Sequence, residues 1–200
     1  MNLQEKFKYL ENMLLNDRDT FHIQIGAPFI LFVYDPYEEM ECRRKVKELS
    51  GFLKSKDIKV LEIPLNTFIF EILAEYNSLE DIFEKEKNDI DEFIRGISQI
   101  YNQEIKQYIL NQVKDKTEAL FITRIGSLFP FYRTSDIVDK LLNFIEIPTV
   151  FFYPGTYIKD YATNEEEILF FGKYSNDSTY RTYPIGWGLW QKLKIFFIMI

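Results

Sequence analysis

Apolar residues recur along this chain at two different periods, and the alternation between them predicts an architecture. Leu3, Phe7, Leu10 and Leu14 fall on one helical stripe and predict a short amphipathic helix within residues 1–20. The run Phe29-Ile-Leu-Phe-Val-Tyr34 is apolar without interruption, as strands are when both sheet faces are covered. Asp35-Pro36-Tyr37 stops it, because proline lacks a donor and restricts the residue before it. Glu38 to Ser55 reads as a helix with Cys42, Val46, Leu49, Phe52 and Leu53 inward, and Lys59 to Leu65 as a second strand. This strand–helix–strand unit is expected to be right-handed.

Residues 66–116 read as a helical insert. Ile69, Ile72, Leu73 and Tyr76 form a short stripe, and Ser78 is placed to cap a following segment. Ile90, Phe93, Ile94, Ile97, Ile100, Tyr101, Ile105, Tyr108, Ile109 and Val113 then hold helical spacing over a long stretch.

A third strand, beginning near Glu118, feeds the loop Arg124 to Arg133. The helix after that loop turns Ile137, Val138, Leu141, Leu142 and Ile145 inward, with Thr134 or Ser135 expected as its N-cap. Pro148 to Tyr153 is a fourth strand ending in the turn residues Pro154 and Gly155, Ile168 to Gly172 a fifth, and Asp177 to Pro184 an edge segment. The order predicts a single three-layer α/β domain over residues 1–200. Its centre is a mostly parallel sheet of about five strands, with the helical insert between strands two and three.

Composition narrows the function. The chain is 46% hydrophobic, enough for one sizeable core, and its net charge of −7 disfavours charge-driven binding to nucleic acid. One cysteine, Cys42, excludes an internal disulfide framework, and one histidine with one cysteine cannot build the usual zinc site. No signal peptide is read at the N-terminus, and a cytoplasmic location is expected. Residues 186–200 end in six apolar residues, but Gln191, Lys192 and Lys194 make a membrane span unexpected. The tail reads either as a last element packed on the core or as an interfacial or partner-binding segment.

Ligands of open parallel sheets gather beyond the carboxyl ends of the strands. That places Asp35, Arg124, Gly126, Arg133, Tyr153, Pro154, Gly155, Tyr180 and Arg181 on one candidate rim for a partner or an anion, with Tyr37 beside Asp35. Arginines there are suited to a phosphate or carboxylate, or else to buried pairs with Asp35, Asp136 or Asp177. A phosphate-binding loop needs Gly-x-x-x-x-Gly-Lys-Ser/Thr, and Gly126-Ser-Leu-Phe-Pro130 lacks its second glycine and its lysine. No metal, cofactor or catalytic constellation is read, so the chain is not expected to be an enzyme. A nucleotide- or phosphate-sensing protein or enzyme using the same arginines is the alternative.

Arg124-Ile-Gly-Ser-Leu-Phe-Pro-Phe-Tyr-Arg133, Val150-Phe-Phe-Tyr-Pro-Gly-Thr-Tyr157, Leu169-Phe-Phe-Gly172 and Tyr180-Arg-Thr-Tyr183, in that order, resemble the BrxB family. Pro28 to Pro36 is similar to that family's first strand and its Tyr-Asp-Pro ending. The resemblance runs from about residue 20 to 185, with residues 186–200 departing from it. It implies a component of a BREX (bacteriophage exclusion) defence complex, with no enzymatic activity to carry over. The implied partners are an alkaline-phosphatase-like protein, an AAA-type ATPase and an adenine-specific DNA methyltransferase. The expected role is a non-catalytic adaptor that docks them through the Arg/aromatic rim or through the aromatic-rich end from Phe151 to Tyr183.

Overall fold

A computed structural model describes residues 1–16, 28–76, 84, 86–159, 166–174 and 182–185. Its elements run α1 (Leu3–Asn16), β1 (Phe29–Tyr34), α2 (Glu39–Ser55), β2 (Val60–Pro64), α3 (Phe68–Tyr76), α4 (Ile90–Gln112), β3 (Ala119–Thr123), α5 (Thr134–Leu141), β4 (Thr149–Lys159), β5 (Glu166–Phe170) and β6 (Tyr183–Ile185). Short 3-10 turns follow β1 (Pro36–Glu38) and β3 (Ile125–Leu128).

The sheet is ordered β2-β3-β4-β1-β6, all parallel, with β5 added antiparallel to the far half of β4. Six strands thus replace the expected five or so. After β1 the chain crosses to β2 at the outer edge, then returns through β3 and β4. Right-handed connections in opposite directions must put their helices on opposite faces, and that is the arrangement found. Phe29, Leu31 and Val33 of β1 pack with α3, α4 and α5, whereas Ile30, Phe32 and Tyr34 pack with α1 and α2. Covering both faces explains why β1 is apolar at every position, β3 at every position but its last, Thr123, and both are wholly buried.

The α1 stripe is buried as its spacing predicts, Met13 joining Leu3, Phe7, Leu10 and Leu14. In α4, Ile97, Tyr101, Ile105 and Ile109 are inward, but Ile90 is 51% exposed at its first turn. Asp89 caps this helix, its carboxylate accepting from the Glu92 amide. The proposed cap Ser78 lies outside the described residues.

Two local expectations fail for identifiable reasons. The N-cap position of α5 is Arg133, which makes no side-chain cap bond, while Thr134 and Ser135 are buried in the first turn. Pro154-Gly155 does not end β4. The strand runs on to Lys159 by changing partners, from the parallel pair Tyr34–Pro154 to the antiparallel pair Gly155–Phe170. Proline is tolerated at such a hand-over because the ladder is interrupted there in any case.

Candidate functional site

The carboxyl edge is built by the exits of β1 and β3 on either side of β4. β1 leaves through Asp35, whose carboxylate accepts from the Tyr37 amide at 2.9 Å while Glu38 N–H donates to the Asp35 carbonyl at 2.8 Å. β3 leaves through Arg124, held in the left-handed region at φ 61°. Ser127 closes this turn, with its amide and hydroxyl both donating to the Arg124 carbonyl at 3.1 and 2.8 Å. Between them β4 does not leave at all. Its extension and β5 rise as a hairpin out of the point where β1 and β3 send their connections to opposite faces. Parallel sheets commonly hold ligands at that crevice. Here protein fills it.

The filling is aromatic. The amide of Phe171 donates to the Pro154 carbonyl at 3.0 Å, which sets the Phe171 ring over Gly126. A Cβ on Gly126 would stand 2.9 Å from that ring, and one on Gly155 would meet the Tyr153 ring at 2.7 Å and the Leu169 carbonyl at 2.8 Å. Phe129 packs against Tyr174 (ring centroids 4.6 Å), Phe170 (5.8 Å) and Phe171 (6.2 Å), while Phe170 touches Tyr153 beneath at 5.1 Å. Phe129 is 39% and Tyr174 48% exposed, so this group reaches solvent. The loop behind it is tied to α4 by Ser98, whose hydroxyl donates to the Phe131 carbonyl at 2.7 Å.

On the other face lies a polar node. Tyr34 donates its hydroxyl to Glu39, Arg43 Nε donates to the same carboxylate at 2.5 Å, and Thr123 donates to Glu62 at 3.0 Å. Arg124 Nε is buried here without a hydrogen-bond partner. The void these groups enclose is about 10 Å³, far below the roughly 300–1,000 Å³ of ordinary small-molecule sites. Burial pushes the Tyr34 hydroxyl and the Cys42 thiol well above their usual range. Lys6 donates to the Val33 carbonyl at 2.9 Å, and burial holds its ammonium below the usual lysine value. A larger hollow of about 440 Å³, lined by Leu73, Asp89, Phe93, Gly96 and Ile100 among others, contains none of the predicted site residues.

Of the predicted rim, Asp35, Arg124 and Gly126 lie on the two turns that flank β4, and Arg133 stands at the N-cap of α5 beyond the β3 turn. Asp35 and Arg133 are exposed and Arg124 is half-buried. Tyr153, Pro154 and Gly155 are buried, Tyr153 completely, so they support the edge from below and have no surface to offer a partner. Tyr180, Arg181, Asp177 and residues 186–200 lie outside the described residues. Neither of the exposed aromatics Phe129 and Tyr174 is among the expected site residues, although Tyr174 falls within the aromatic-rich end expected from Phe151 to Tyr183. Their sequence signal is an aromatic beside Pro130 and another past a strand-ending glycine, both ordinary features of turns.

The fold and its edge define a mostly parallel three-layer α/β protein whose ligand crevice is occupied by its own β4–β5 hairpin. Against protein-family models, residues 61–185, well over half of the chain, match BrxB, described as BREX protein BrxB, and the chain belongs to that family. The match runs from within β2 to the end of β6 and so covers the β3 turn, β4 and the hairpin, whereas Asp35 precedes it. No curated protein and no solved structure matches the chain. Membership makes the protein a component of a BREX phage-defence system.

Proposed function

We propose that the protein is a non-catalytic, cytoplasmic adaptor of its BREX system, docking partner proteins through the β3-side half of the carboxyl edge. The observation that carries this reading is the exposed pair Phe129 and Tyr174, with Arg133 and Lys173 on the same two loops. Aromatic and arginine side chains are the usual anchors of protein interfaces. The anchors are also held in place before binding, by the Phe170 and Phe171 rings on one side and the Ser98 tether on the other. Preorganisation of this kind lowers the ordering cost of association. Among the described residues no helix is long and apolar enough to cross a membrane.

Affinity capture of the alkaline-phosphatase-like protein, the AAA-type ATPase and the DNA methyltransferase by the tagged full chain tests the reading. Phe129→Ala with Arg133→Ala is expected to reduce capture of at least one partner by tenfold or more, on the order of a hot-spot loss. Unchanged capture of all three would remove the β3-side rim as the docking surface. Saturable ATP binding to the isolated protein, lost in Arg124→Ala, would favour the phosphate-sensing alternative instead.

A further inference from the structure

The other half of the same edge, across β4, carries a feature that this reading does not use. Tyr37 is 100% and Met40 73% exposed, three positions apart where the 3-10 turn runs into α2. Soluble proteins show single exposed apolar side chains routinely, but this pair sits on a backbone fixed at several points. Asp35 caps the turn, Pro36 fixes its first φ, and the Glu39 amide donates back to the Pro36 carbonyl. Beneath it, Lys6 of α1 ties to the Val33 carbonyl. A rigidly presented tyrosine and methionine are inexpensive to immobilise in a partner's pocket.

The local charge differs from that of the β3 side. Arg43 is engaged by Glu39, and Arg44 by Glu41 and Glu48. Lys6 is drawn down to the sheet, while Asp35 and Glu38 stand on either side of Tyr37. The Phe129 side instead carries Arg133 and Lys173. We infer that Tyr37 and Met40 form a second docking point, for a partner protein with an apolar pocket rimmed by Lys or Arg, distinct from the partner held at Phe129. Two points of different charge on one edge are what an adaptor joining two different proteins requires.

This inference rests on the adaptor reading, and capture experiments with paired variants separate the two. The full chain is co-expressed with the alkaline-phosphatase-like protein and the AAA-type ATPase. Tyr37→Ala/Met40→Ala is expected to lose one partner by about tenfold or more while retaining the other, and Phe129→Ala/Arg133→Ala is expected to show the reverse. Glu38→Lys should weaken the same partner as the Tyr37/Met40 variant. All substituted side chains are exposed or half-buried, so thermal melts should match the wild type. Retention of both partners by the Tyr37/Met40 variant overturns the inference, and loss of the same partner by both double variants reduces the edge to one surface. Unchanged capture by Glu38→Lys overturns the cationic rim. A wild-type chain that captures neither partner removes the adaptor reading itself.

Discussion

The ring of Phe171 occupies the space a side chain on Gly126 would need, its Cζ lying 2.9 Å from the position of a Cβ there. This one approach locks the β3 turn to the β4–β5 hairpin. Gly126→Ala is therefore expected to push the ring aside and to destabilise the protein by about 1–3 kcal/mol, the usual cost of overpacking. Phe171→Ala should relieve the clash, so the double variant should be more stable than the sum of the two losses. Thermal unfolding of the four proteins measures this coupling. Gly155→Ala should cost more than Gly126→Ala, because one of its obstacles is the Leu169 carbonyl, which is backbone in a strand and cannot rotate away.

Tyr153 and Arg133 look alike in sequence as rim residues, but they separate cleanly in the fold. Tyr153 is 0% exposed and its ring packs on Phe170. Tyr153→Ala is expected to cost about 3–5 kcal/mol of stability, as large core truncations do. Arg133→Ala should stay within roughly 0.5 kcal/mol of the wild type. Denaturant titrations of the two variants check the difference. A loss of partner capture in Tyr153→Ala would then report unfolding, and only Arg133→Ala is informative about contact.

The layered fold was legible because it follows from local rules. The unbroken apolar run Phe29–Tyr34 announces a strand with two covered faces, and the helical stripes of α1, α2 and α4 announce what covers them. The rim was legible less well. Position along the chain placed Asp35, Arg124, Gly126 and Arg133 on one edge, but which side chains reach solvent depends on how far β4 continues. Pro154-Gly155 carries turn chemistry, and only its pairing with Phe170, more than ten residues later, makes it strand. Once β4 continues, the aromatics of the β5 turn fill the crevice and bury the residues expected to line it. Tyr153 also shares strand parity with Phe151, which is deeply buried, a sign of its burial that the adjoining Pro-Gly obscured.

Arg124 combines two unfavourable features, a left-handed φ of 61° and a buried Nε without a partner. The left-handed conformation costs an L-residue roughly 1–2 kcal/mol, and glycine adopts it freely. Arg124→Gly is therefore expected to be neutral or to stabilise by up to about 1 kcal/mol, despite the greater entropy glycine gives the unfolded chain. Arg124→Val should destabilise, since a β-branched residue fits this region worst. Urea unfolding midpoints decide the order. Should Arg124→Gly be clearly destabilising, the arginine side chain must contribute packing that outweighs its strained backbone.

Alkaline pH probes the α1–α2 face. Burial raises Cys42 from its ordinary 9.0 and Tyr34 from 10.0, so above those values the folded protein binds more protons than the unfolded one. Their contribution to stability is fully present below pH 9.0 and is lost progressively as pH rises beyond it. Tyr101 and Tyr132 on the opposite face shift in the same direction, again mainly through burial. Lys6 acts oppositely: burial lowers it from 10.5, so its titration adds stability with rising pH up to that value. The raised groups outnumber it, and a net loss of stability is expected on going from ~pH 8 to ~pH 10.5. Denaturant unfolding across that range should show a shallower loss in Cys42→Ala, confined to the part of the window that begins at 9.0. In Lys6→Met the loss should be steeper, because among the described residues no other lowered alkaline group opposes it. A Lys6→Met profile parallel to the wild type would show that the Lys6 ammonium keeps its ordinary affinity for the proton despite its burial.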